Sequence, residues 1–265
     1  MVEWWWAYLA LGAFVGFFSG LLGIGGGSAM VPVLAFIFSA KGFASENVVH
    51  LALGTALSTI LFTSASSVRS HHQHRAVNWA VMLRMLPGIV AGTLGGALLA
   101  GHLDARLLSV AFTFLIYYLA AWMFVERDPA TTAALPGRAG MSAAGGIIGF
   151  VSSLTATAGA SLTVPFLAKR GLSVHEAIGT AAAVGWPLAL AGTLGYVAGG
   201  AGKPGLPDWS AGYVYFPALA WIVAASMAMA PVGARVAHRT PGRTLKRVFA
   251  VVLFLLATTM LLRFL

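Results

Sequence analysis

Four glycines, Gly23, Gly25, Gly26 and Gly27, interrupt an otherwise apolar stretch, GFFSGLLGIGGGSAMVP, between Gly16 and Pro32. Glycine costs about 1 kcal/mol relative to alanine in a helix interior. A cluster of them between apolar runs therefore marks backbone that leaves the helix. At membrane depth such backbone survives only where protein buries it or it lines a wet cavity. The amides freed there, at the positive end of the next helix, suit an anion. The candidates are the backbone of Gly25, Gly26, Gly27 and Ser28. A second break runs through Thr155, Thr157, Ala158, Gly159 and Ser161, with Ala156 and Ala160 between them. Ser28, Thr155, Thr157 and Ser161 add hydroxyl donors, and the small residues leave room for a ligand. Close helix packing is the simpler use of the glycines, but it does not explain why both breaks precede a short segment containing Val-Pro.

His-x-x-x-Gly-Thr occurs twice, as His50 to Thr55 and as His175 to Thr180. The functional reading puts the Thr55 and Thr180 hydroxyls on substrate and makes His50 and His175 gates or proton-coupling groups. The bland reading makes the histidines interfacial and lets each threonine bond its own backbone. His71, His72 and His74 are read as part of a solvated loop rather than a metal site, since no carboxylate or cysteine accompanies them. Arg84 is expected to snorkel to the surface. Trp186-Pro187 is expected to kink its helix. No Asp or Glu falls near the centre of an apolar run, which argues against a cation pump. No Walker motif is present, so the chain hydrolyses no ATP by that route. An enzyme is not expected. The competing redox-enzyme reading would need facing haem-ligating histidines, and His50 and His175 are expected on opposite faces.

These residues need a membrane scaffold. The chain has 265 residues, 59% hydrophobic and 9% charged, with mean hydropathy +0.86. Soluble domains carry about 25% charged residues. Cysteine is absent, which removes disulfides and thiolate sites. The net charge of +9 comes from short loops and is not read as nucleic-acid binding. The N-terminus, MVEWWW, has no basic n-region and is not read as a cleavable signal. Apolar segments fall at about 4–22, 28–38, 48–68, 79–100, 106–125, 141–157, 161–168, 175–199, 211–236 and 244–265. A span needs about 20 residues, so 28–38 and 161–168 are too short.

An internal repeat organises the list. A shift of 133 superposes Gly16-Phe17 on Gly149-Phe150, Ser19 on Ser152, Gly26 on Gly159, Ser28 on Ser161 and Pro32 on Pro165. The two histidine motifs follow in the same order, then Trp79 and Pro87 against Trp209 and Pro217. The expectation is an all-α polytopic membrane protein with two repeats, 1–127 and 140–265, and a linker at 128–139. Each repeat would hold one broken helix pair and three full spans. If each broken pair enters and leaves on one face, twelve of the sixteen Lys and Arg share a face and four lie opposite. If each pair crosses once, the split is seven to nine. The positive-inside rule favours the first arrangement. It makes the repeats inverted, as in many secondary transporters, with both termini periplasmic.

The Gly16–Pro32 block with Gly54-Thr55 resembles the sulfite exporter TauE/SafE family, also called the toluene sulfonate uptake permeases. The resemblance covers essentially the whole chain. It implies a permease for small anions, often sulfur oxyanions or organosulfonates, in the bacterial inner membrane; small carboxylates also occur as substrates. The second half has lost most of the glycines, so its added hydroxyls are expected to tune selectivity. Alternating access with proton or potential coupling is the expected mechanism, and a passive anion channel is the alternative. No cofactor and no metal are expected. The expected partners are the small anion and the lipid bilayer. No motif specifies an oligomeric state, a direction or a coupling ion.

Overall fold

The computed structural model describes residues 4–22, 26–125, 134–237 and 242–264. Ten helices occur among them: α1 (Trp5–Leu22), α2 (Gly27–Ala40), α3 (Ser45–Gln73), α4 (Trp79–Ala100), α5 (Ala105–Val125), α6 (Arg138–Thr155), α7 (Ala160–Ala168), α8 (Val174–Gly199), α9 (Phe216–Ala237) and α10 (Gly242–Phe264). Each matches one apolar segment of the sequence. Five of them, α3, α4, α5, α8 and α9, are long and apolar enough to cross a membrane. Trp6, Leu83, Phe114, Tyr118, Ile147 and Leu262 stand exposed on the outside, as lipid-facing residues do.

Local chemistry sets the ends. The Asn78 side chain accepts from Val81 N–H at 3.1 Å and caps α4. Ser173 and Glu176 form a capping box at the start of α8. Pro217 sits in the first turn of α9, where a missing N–H costs nothing. Pro187 lies inside α8, which runs on past it.

Two departures from expectation are local. The histidine cluster is not a loop. α3 continues to Gln73, so His71 and His72 ride on its last turn. Nothing in the preceding SSVRS stretch, neither Gly nor Pro, stops the helix. Trp79 Nε1–H donates to His72 Nδ1 at 3.3 Å. The start of the 211–236 segment is not helical either. Ser210–Ala211 (β1) pairs antiparallel with Val214–Tyr215 (β2), and Gly212 supplies the left-handed turn residue between them, with φ 51°.

Packing crosses between the first five helices and the last five. α3 and α8 run antiparallel through the centre. Ser58 Oγ donates to Thr193 Oγ1 at 3.3 Å, and Ser64 lies beside Gly185. α1 lies along α9 with its Gly12 and Gly16 against the Ile222 and Ser226 backbone. α4 lies along α6 in the same manner, with Gly88 and Gly92 against Ser142 and Gly146. Small residues let membrane helices approach to backbone contact. α5 meets α10 through a 2.6 Å hydrogen bond between the Tyr117 and Thr258 hydroxyls.

These contacts separate two faces. On one, the start of α3 meets the end of α4, and Lys41 after α2 sits near the rings of Tyr8, Phe43 and Tyr215. On the other, the start of α8 meets the start of α4. α1 begins and α2 ends on the first face; α6 begins and α7 ends on the second.

Candidate functional site

The two interrupted pairs meet tip to tip. Gly26 precedes α2, and its Cα packs against Val15 of α1. Gly27 opens α2 against the Ala156 carbonyl oxygen of the second break; a β-carbon there would also lie 2.6 Å from Ile60 Cδ1. Only glycine fits that approach. Ser28 is buried in the first turn of α2. Gly25 lies outside the described residues.

The second break has the more informative backbone. α6 ends at Thr155, and Ala156 caps it in the left-handed region, φ 47° and ψ 36°. Gly159 is also left-handed, φ 74°, and turns the chain into α7. Thr157 N–H donates back to Ser152 carbonyl oxygen at 3.3 Å. Leu162 and Thr163 N–H donate to the Gly159 carbonyl. Between them, the amides of Ala158, Gly159, Ala160 and Ser161 have no hydrogen-bond partner among the described residues. Ala158, Gly159 and Ala160 are buried and Ser161 half-buried. Consecutive free N–H groups around a left-handed residue form an anion-binding concavity, and the α7 dipole adds positive potential.

The hydroxyls around this loop fall into two sets. Thr155 Oγ1 donates to Val151 carbonyl oxygen at 2.9 Å and lies 3.2 Å from Thr157 Oγ1. Thr157 therefore donates to Thr155, and both hydrogens are committed. Ser152 Oγ and Thr163 Oγ1 are buried with no partner among the described residues. Ser152 Oγ lies 3.7 Å from where a β-carbon on Gly159 would stand. Neither residue was a sequence candidate. Ser152 carried a usable signal, since it superposes on Ser19 in the repeat. Thr163 carried none. The walls are Leu188 and Gly185 of α8, the latter against the Ala158 carbonyl, and Ser64 of α3 beside it. The Tyr196 hydroxyl, fully buried on α8, donates to Ser153 carbonyl oxygen at 3.0 Å and anchors the end of α6.

Thr55 and Thr180 stand away from this loop. Tyr215 N–H donates to Thr55 Oγ1 at 3.1 Å, just before α9. Asn78 N–H donates to Thr180 Oγ1 at 2.9 Å, just before α4. The adjoining glycines do matching work: Gly54 packs on the Tyr213 carbonyl and Gly179 on the Ala76 carbonyl. Each Gly-Thr thus seats the chain leading into a helix of the other half. His50 is buried, with Nε2 at 3.0 and 3.1 Å from the Ala100 and Leu103 carbonyl oxygens and its ring stacked on Tyr213. His175 is exposed at the start of α8. The two histidines are not brought together. Arg84 is exposed on α4.

The family model for the sulfite exporter TauE/SafE family matches residues 8–260. A probable membrane transporter protein of Haemophilus influenzae is 34% identical over 96% of this chain and 97% of its own length. Probable membrane transporter proteins of Bacillus subtilis and Methanocaldococcus jannaschii are 26% and 27% identical, over 88% and 71% of this chain and 90% and 71% of their own lengths. No solved structure gives a significant match. The chain belongs to the TauE/SafE sulfite exporter family and is a multi-pass membrane transporter.

Proposed function

We propose that this transporter carries a small anion, a sulfur oxyanion such as sulfite or an organosulfonate, by alternating access at the meeting point of its two broken helix pairs. One observation carries the reading: four consecutive amides at the second break, Ala158 to Ser161, have no partner among the described residues, and the first three of them are buried. An unpaired amide away from water costs several kcal/mol, so the loop is built for an acceptor. Among the described residues the acids Glu46, Asp104, Glu176 and Asp208 all lie at helix starts or in loops, away from the break. Ser152 and Thr163 would donate to the anion's oxygens, joined by Ser161. Gly26 and Gly27 serve close approach of the first tip, and Ser28 follows in the buried first turn of α2. The name of the matched family supports sulfite chemistry.

The opposed directions of α3 and α8, and the two broken pairs opening from opposite faces, support an inverted pair of repeats, 1–127 and 140–265. The face with twelve basic residues would be cytoplasmic in a bacterial inner membrane, with both termini periplasmic. Rocking of one repeat against the other would expose the junction to each side in turn.

The test is a thermal-shift screen of purified protein with sulfite, sulfate, thiosulfate, taurine, sulfoacetate and small carboxylates, followed by flux in proteoliposomes. Ligand at about 100 times its Kd stabilises by about 2.7 kcal/mol. Stabilisation by sulfur oxyanions or sulfonates, with saturable uptake against a gradient, is expected. Selective stabilisation by carboxylates would reassign the substrate. Non-saturating, purely downhill flux would make the protein a channel. Indifference to every anion would overturn the site.

A further inference from the structure

We infer that the groove between α5, α6 and α7 binds one acyl chain of an anionic phospholipid, with Arg170 holding the lipid phosphate. The groove encloses about 380 Å³ and its walls are almost wholly apolar, including Leu115 and Leu119 of α5, Ile147 and Val151 of α6, and Leu162 and Phe166 of α7. It exists because α7 is short. α7 has nine residues, whereas α2, the short helix of the first broken pair, has fourteen and packs against α10. Where α2 fills its space, α7 leaves a slot against α5.

Depth and charge select the occupant. Leu162 and Phe166 lie eight and four residues before Arg170, which is about 12 and 6 Å at the helical rise. Ile147 and Val151 lie nine and thirteen residues after Arg138, or about 14 and 20 Å. The slot therefore starts just beneath a face bearing Arg138, Lys169 and Arg170 and runs through roughly one leaflet of a core about 30 Å thick. The Arg170 guanidinium stacks 3.8 Å from the centroid of the Phe166 ring, on the groove wall itself. Its Nη1 donates to the Phe166 carbonyl at 3.1 Å. Its Nε is buried and has no partner among the described residues. Guanidinium carries five donors in a fixed fork suited to phosphate. Among the described residues of this face, the acid Glu176 is engaged by the Ser173 cap. An anionic headgroup meets a cation held at the mouth of a hydrocarbon slot.

The test is native mass spectrometry of delipidated protein titrated with phosphatidylglycerol or phosphatidylcholine, beside thermal shifts with the same lipids. Wild type is expected to retain one phosphatidylglycerol and to be stabilised more by it than by phosphatidylcholine. Arg170→Gln should weaken phosphatidylglycerol about tenfold, the equivalent of one charge-assisted hydrogen bond, and erase the preference. Ala144→Phe fills the groove and should weaken both lipids. Ile147→Trp serves the same purpose from an exposed position if the first variant fails to fold. Equal binding of both lipids by wild type, or unchanged binding by folded groove-filled protein, would overturn the assignment.

Discussion

Replacing Thr55 by valine deletes one hydroxyl and keeps the side-chain shape. In the structure that hydroxyl accepts from Tyr215 N–H at 3.1 Å, and Thr55 is fully buried. Valine leaves a buried amide unpaired, which costs about 1–3 kcal/mol. Hydrogen bonds between membrane helices measure lower, about 0.6 on average and 1.7 at most. A loss of about 1–2 kcal/mol follows, a factor of 5–30 in the unfolding equilibrium. Thr180→Val removes the matching bond to Asn78 N–H, 2.9 Å long, and should cost the same. The two bonds lie on opposite faces and share no partner, so the double variant should lose the sum, about 2–4 kcal/mol. The assay is equilibrium unfolding in mixed micelles, with uptake kinetics measured on the folded fraction in proteoliposomes. The expected result is a stability loss with KM unchanged. The opposite pattern, unchanged stability with a sharply raised KM, would refute the reasoning. It would put the threonine hydroxyls on substrate and make the backbone bonds incidental.

Three further outcomes follow from the geometry. Gly27→Val drives a side chain into the Ala156 carbonyl and Ile60; the tips should separate, with a stability cost of about 1–3 kcal/mol and lost transport, and normal uptake by a folded variant would dissociate the junction from the pathway. Ser152→Ala removes a buried hydroxyl that has no partner, so stability should hold or rise while anion affinity drops about five- to tenfold, one lost hydrogen bond; reduced stability with intact affinity, read by calorimetry, would show the hydroxyl to be structural. His50→Ala strips the α3 contact to the Ala100 and Leu103 carbonyls and the Tyr213 stack and should destabilise by about 1–3 kcal/mol, whereas His175→Ala, at an exposed position, should stay within about 0.5 kcal/mol; equal effects in a melting experiment would contradict this division.

What was legible in the sequence was what neighbouring residues decide. Ten apolar segments match ten helices because burial in lipid demands continuous apolar runs, and Gly or small polar residues at 23–27 and 155–161 mark where they stop. The second break, expected through 155–161, lies between the end of α6 at Thr155 and the start of α7 at Ala160, with Ala156 and Gly159 in the left-handed region. The partner of a buried hydroxyl was not legible. Thr55 meets Tyr215 across 160 positions, and no local pattern encodes that. The repeat did show that Gly-Thr recurs, yet recurrence fits a clamp on backbone as well as it fits a ligand. Ser152 and Thr163 went unnoticed for the converse reason. Serine and threonine on a membrane helix usually bond the carbonyl one turn back, as Ser58 and Thr59 do, and only coordinates separate the two that do not. The hairpin at 210–215 was hidden because Tyr213, Val214 and Tyr215 run without a break into the apolar helix that follows.

The same physics explains why two breaks of common pattern would divide their labour. A glycine-rich tip has no side chains to hold another backbone away, so it can be pressed against its neighbour; Gly26 does this with Val15 and Gly27 with Ala156. The space at such a tip is then filled by protein. The second tip has Ala and Thr in place of most of those glycines. There the chain turns through left-handed Ala156 and Gly159, and among the described residues the amides of Ala158 to Ser161 meet no carbonyl. On the proposed reading, the glycines that make the first break conspicuous in the sequence set how closely the halves approach. Discrimination among anions would then rest on the second break, where substitutions at Ser152, Thr157 and Thr163 should change which anion is bound before they change whether the protein folds.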